Sequence, residues 1–130
     1  MEVKIIDSTE TICGKVSLSE DSIIHLTFNE GSIVNREEAE DLLKTRKELL
    51  NEPQLLFVDL TSNTPKSSKS GRKYNKSEEM NRLTKAMAVY CNSSLSKIVG
   101  NILIGFNKSV FPSKIFDNKQ EALDWLESHR

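Results

Sequence analysis

At 130 residues the chain has the length of one ordinary domain, enough to close a single core without disulfides or metals, and its net charge of -1 selects no partner. Hydrophobic residues at 37% and charged residues at 28% exclude a disordered or membrane-embedded chain. The stretch from Met1 to Asp7 has no basic patch followed by a long apolar run, and no later segment is long enough to span a bilayer. The expectation is therefore a cytoplasmic single domain over 1–130.

Residues 3 to 6 offer a short edge strand, or a terminus that frays. Thr11 to Leu18 then alternates, with Ile12, Gly14, Val16 and Leu18 on one face and Thr11, Cys13, Lys15 and Ser17 on the other. After Ser19-Glu20-Asp21 the period of two resumes, Ile24, Leu26 and Phe28 opposing Ile23, His25 and Thr27. The two runs predict a hairpin with one face on the core. Asn29-Glu30-Gly31 breaks the pattern, and Asn35 with Glu38 three residues on has the spacing of a capping box. The helix that follows places Ala39, Leu42, Leu43, Leu49 and Leu50 on one stripe, with Glu37, Glu40, Asp41, Lys44, Lys47 and Glu48 turned outward.

Asn51-Glu52-Pro53 ends that helix and feeds Leu55-Leu56-Phe57-Val58-Asp59-Leu60, a short apolar run suited to a central strand covered on both faces. In open α/β sheets, ligands and partners bind beyond the carboxyl ends of the strands, which directs attention to residues 59 to 75. That segment is polar, basic and hydroxyl-rich. Thr64-Pro65 has the form of an N-cap and first helical residue, and Asn75 with Glu78 repeats the capping-box spacing, so two short helices are predicted, the first weakened by Gly71.

Lys85 to Cys91 is a second buried strand, its small residues leaving room for helices to approach. Leu95, Ile98, Val99, Ile102, Leu103 and Phe106 recur at helical spacing, outweighing a competing strand over Asn101 to Phe106. Pro112 stops that helix, Ser113 to Phe116 fits an edge strand, and Asp117 or Asn118 caps a last helix that buries Ala122, Leu123, Trp125 and Leu126. The order predicts an α/β fold: a single mixed sheet with an N-terminal β-hairpin and βα units, helices packed on the sheet.

This order resembles that of small bacterial STAS-like proteins, which share a fold with the anti-sigma-factor antagonists and the cytoplasmic domains of sulphate transporters. The resemblance rests on the 55–60 strand with its terminal Asp59 and polar loop, and on the closing run from Phe111 to Leu126 with Glu121-Ala122-Leu123 and Trp125-Leu126. In the antagonists the corresponding loop carries an Asp-Ser-Ser-Gly turn whose serine is phosphorylated at the start of a helix. The nearest match here is Ser68-Lys69-Ser70-Gly71, so the resemblance implies Ser70 as phosphoacceptor. Lys69 stands at the first serine's place and Ser68 at the acid's.

From the residues themselves, Lys66, Lys69, Lys73 and Lys76 recur at i, i+3, i+7 and i+10, one positive stripe wherever the stretch is helical. With Arg72 and the hydroxyls of Ser67 and Ser68 they suit a phosphate, an acidic partner or an anionic headgroup; the plainer reading is a solvated face. Tyr74 is the only nearby ring, which argues against nucleic acid. Asp59 is read as a loop anchor rather than a catalytic acid, because no nucleophile and base accompany it. His25 and His129 lack partners at metal spacing, and Cys13 and Cys91 fit two buried thiols, a contact between them staying open. No catalytic residue, metal site or cofactor is assigned. Ile104, Val110 and Phe111 would form an apolar surface for self-association as a homodimer or for a protein partner, unless the core buries them. The first functional reading is a non-enzymatic protein-interaction or regulatory module; the alternative is a carrier of a small apolar ligand or lipid.

Overall fold

Alternation of apolar and polar residues builds β2 (Gly14–Ser19) and β3 (Ile23–Phe28), which form an antiparallel meander with the preceding strand β1 (Ile5–Glu10). The computed structural model describes residues 3–107 and 110–130, with the side chains at 103 and 105–107 excepted. β1 runs further than the four residues expected and lies exposed along its whole length, as an edge strand does. Ile12, expected on the core face, sits instead in the turn before β2 and is 63% exposed. β3 departs from the one-sided pattern. Ile23 and Ile24 are both fully buried because helices cover the sheet on both faces at this strand.

After the two-residue strand β4 (Ile33–Val34), α1 (Arg36–Leu49) carries its apolar stripe onto the sheet. Asn35 is its N-cap, but its side chain makes no capping bond; its amide donates to the Glu38 carboxylate at 3.2 Å. The chain then enters β5 (Gln54–Asp59), the central strand, paired in parallel with β3. Beyond it come β6 (Lys66–Ser67), which pairs with β4, and two six-residue helices, α2 (Lys69–Tyr74) and α3 (Glu78–Leu83). Their caps are Ser68 and Ser77, not Thr64 and Asn75, since each serine hydroxyl accepts the amide three residues on. Gly71 has a packing reason: a Cβ there would lie 2.1 Å from the Val34 carbonyl oxygen, so only glycine lets α2 sit against the end of β4.

β7 (Thr84–Tyr90), α4 (Ser94–Asn107), β8 (Ser113–Phe116) and α5 (Lys119–Glu127) complete two further βα units. The main sheet has the order β1-β2-β3-β5-β7-β8, antiparallel from β1 to β3 and parallel from β3 to β8. One face packs on α1 and α4, the other on α5, whose Ala122, Leu123 and Leu126 are buried beside Phe57. The Asn118 side chain caps α5 by accepting the Glu121 amide at 2.9 Å.

α4 is a helix, as its periodicity predicts, but it is rotated from the expected stripe. Leu95, Ile98 and Ile102 are 62%, 58% and 45% exposed, while Ser96 and Gly100 face the sheet. Small side chains make the close contact: at Gly100 a Cβ would already lie 3.1 Å from Cys91 Sγ. Consequently Ile104 packs partly buried against the core and Phe111 is buried, leaving Val110 alone of that trio exposed. Leu103 and Phe106 lie outside the described side chains.

Candidate functional site

The apolar stripe of α1 does not close completely on the sheet. Ala39, Leu42 and Leu43 stand opposite Leu26 and Phe28 of β3, Leu56 and Val58 of β5 and Met87 of β7, and between these layers lies a cavity of about 590 Å³. Val99 and Ile102 of α4 close one side. The other is roofed by the segment after the central strand, through Pro65, Lys66, Ser67, Arg72, Asn75 and Met80. Its size falls within the range of small-molecule sites, which are concave, mostly apolar and carry few polar groups.

The polar group that stands out is Arg46. It falls seven residues after Ala39, on the buried stripe, and is 1% exposed. Its Nε donates to Gln54 Oε1 at 2.8 Å, Nη2 to Thr84 Oγ1 at 2.9 Å and Nη1 to Met80 Sδ at 3.0 Å. Gln54 is fixed in turn, its amide donating to the carbonyls of Arg46 and Leu50 at 2.9 and 2.8 Å. Gln54 and Thr84 are cross-strand partners at the amino ends of β5 and β7, so the cluster ties α1 to both strands. Among the described residues no ion pair joins Arg46 to a carboxylate. Burial pushes the guanidinium pKa down to about 9, which still leaves a cation at neutral pH. A buried charge without a counter-charge costs several kcal/mol, and the thioether among its three acceptors is a weak one.

Six residues predicted to form an anion or partner site are split by the fold. Lys66, Ser67 and Arg72 edge the cavity; Ser68 caps α2; Lys69 and Lys73 point to solvent. The lysine stripe is not continuous, because Lys66 lies in β6 and Lys76 beyond α2. Arg72 Nη1 donates to the Ser67 carbonyl at 2.6 Å. Ser70 is exposed in the first turn of α2, its Oγ 3.0 Å from that of Ser68. Asp59 Oδ1 accepts the Thr61 amide at 2.9 Å and the Thr61 hydroxyl at 2.6 Å, holding the turn that leaves β5. Cys13 and Cys91 are free and buried, and burial raises both thiol pKa values, which makes them poor nucleophiles. Among the described residues there is no group of three metal-ligating side chains.

Sequence reading missed Arg46, Gln54 and Thr84. A signal was present: the stripe Ala39, Leu42, Leu43, Leu49, Leu50 has a vacancy at its centre, and Arg46 is the residue that fills it.

Sheet order, helix placement and cavity together define an α/β domain of SpoIIAA-like, or STAS-like, fold. An uncharacterized protein of the DUF3478 family from Shewanella loihica PV-4, described as having a SpoIIAA-like fold, superposes with a TM-score of 0.59 at 16% identity, over 97% of this chain and 96% of that one. At that identity the likeness concerns the fold alone. A protein of unknown function from Arthrobacter sp. FB24 aligns over 86% of this chain and 97% of its own at 19% identity, with a TM-score of 0.30 that carries no argument. No curated protein matches the chain. Residues 17–130 match a domain of unknown function, DUF7793, and the chain belongs to that family. No helix among the described residues is long and apolar enough to cross a membrane.

Proposed function

We propose that this chain is a non-enzymatic, single-domain module that binds a small, largely apolar molecule beneath the segment following its central strand, in a cytoplasmic setting where both thiols stay free. The observation that carries the reading is the cavity of about 590 Å³ between α1, α4 and the sheet. Apolar packing would ordinarily fill such a space, because voids forfeit contact energy on every lining atom. A bound molecule restores those contacts. Native mass spectrometry of the full chain, before and after addition of a medium-chain fatty acid or alcohol, tests this. Uptake of one equivalent, released on denaturation, is the expected result; no uptake of either compound overturns the reading.

A second reading, a regulatory protein-interaction module, is favoured by the exposed row of Leu95, Ile98 and Ile102 on α4. Under it the partner surface includes Lys66, Lys69, Arg72 and Lys73, and Ser70 is the phosphoacceptor. A phosphate of charge about -1.5 to -2 would draw nearby lysines through charge-assisted hydrogen bonds. Phosphopeptide mapping from the native cell and partner binding by Ser70→Asp and Ser70→Ala test the switch. No phosphate at Ser70, with identical binding by both variants, removes it. A homodimer through α4 should dissociate in the Leu95→Asp/Ile98→Asp double variant when followed by light scattering.

A further inference from the structure

The cationic end of the cavity narrows the ligand class, and this inference rests on the small-molecule reading above. We infer that the ligand is an amphiphile with a carboxylate head, seated with that carboxylate on Arg46 and its alkyl chain along the sheet face of β3, β5 and β7.

Arg46 lines the cavity, is buried, and among the described residues meets only neutral acceptors. Three of the five N–H groups that a guanidinium offers are used, one of them on a thioether. Gln54 and Thr84 hold the planar fork in place from the amino ends of β5 and β7. A fork fixed in this way matches the planar, two-oxygen geometry of a carboxylate. Much of the remaining lining is aliphatic or thioether, Leu43, Leu56, Met80 and Met87 among it. It would accept an alkyl chain and reject a second charge.

The opposite orientation would place the head at the rim, near Lys66 and Arg72. Lys66 is exposed, and an ion pair to a solvated lysine gains little. Arg72 already spends one nitrogen on the Ser67 carbonyl. A carboxylate gains more from the buried cation, which forms no ion pair with a carboxylate among the described residues.

Calorimetric titration of the full chain with decanoate, decanol and decylammonium, below their aggregation limits, tests head-group and tail together. Decanoate should bind roughly tenfold or more tighter than decanol, as expected of a charge-assisted hydrogen bond, and decylammonium should bind weakest. Arg46→Gln, which keeps a donor for Gln54 or Thr84, should abolish the preference for decanoate. Arg46→Lys should retain part of it, and Lys66→Gln should retain all of it. Equal binding of decanoate and decanol by the unaltered chain overturns the carboxylate anchor while leaving the cavity reading standing. A preference that survives Arg46→Gln but vanishes in Lys66→Gln overturns the orientation. Binding of none of the three overturns both readings. Should Arg46→Gln fail to fold by circular dichroism, the three ligands on the unaltered chain and on Arg46→Lys still decide the question.

Discussion

Two basic side chains, Arg46 buried and His25 half-buried, behave in opposite ways, and their surroundings explain it. Arg46 stays charged because a guanidinium gives up its proton only far above neutral pH, so the fold meets its charge with three dipoles. His25 avoids the charge altogether. It lies in β3 between Ser17 of β2 and Phe57 of β5, its ring 5.2 Å from that of Phe57 and its Nε2 buried with no hydrogen-bond partner among the described residues. Burial lowers its pKa from 6.5 to about 4, against an opposing pull from Asp21. Between those values the unfolded chain binds a proton that the folded chain refuses, so stability falls as pH drops through this window. At 1.36 kcal/mol per unit the loss approaches roughly 3 kcal/mol at the acid end. His25→Phe should lose less stability between pH 7 and pH 4.5 than the unaltered chain, measured by urea unfolding at both values. An identical loss in the two proteins would show that His25 does not titrate in this way.

At the scale of elements, legibility followed how much a segment's own residues constrain it. β5 was readable because a bulky apolar run ends at Pro53 on one side and at Thr61 on the other. Its first residue was not, since Gln54 looks like loop and its buried side chain is satisfied by Arg46 and the Leu50 carbonyl, partners that the local sequence does not announce. α4 was readable as a helix and unreadable as to face. An apolar stripe fixes the helical period but not the contact face, which is set by Ser96 and Gly100, the small residues that let backbones approach. Ser96 also serves the helix start, its Oγ accepting the amides of Asn92 and Ser93 at 3.2 and 3.1 Å. Gly100→Val should therefore cost about 1–3 kcal/mol by overpacking, whereas Ile98→Ser on the exposed side should stay within about 0.5 kcal/mol. Urea denaturation of both variants checks the order, and a larger loss from Ile98→Ser would mean that the helix packs by its other face. The segment from Pro65 to Lys76 was hardest to read. Its polar composition signals loop, yet Gly71 and two serine caps build one short strand and two short helices against α1 and β4.

At the scale of the whole molecule, the sheet separates two cores of different character. On the α5 side, Phe57, Ala86, Ala88 and Phe116 pack against Ala122, Leu123 and Leu126 of the helix, and Trp125 adds a ring contact to Phe116 at 5.6 Å. On the α1 and α4 side, Leu26, Leu56, Val58 and Met87 face a space that the helices bridge without filling. The expectation that function would gather beyond the carboxyl end of the central strand pointed to the roof of that space. Its charged end lies at the other end of the strands, where Gln54 and Thr84 hold Arg46. The cavity thus runs along the sheet rather than sitting in the loops above it. Binding to it makes a spatial demand that surface adsorption does not: one face of the sheet must respond and the other must not. A titration of the isotope-labelled chain with decanoate, followed by amide nuclear magnetic resonance, reads this directly. Saturable shifts should appear in β3, β5, β7, α1, the inner side of α4 and residues 65 to 80, while the amides of α5 stay in place. Absence of shifts, or shifts confined to the exposed side of α4 at Leu95 and Ile98, would contradict a ligand site inside the fold.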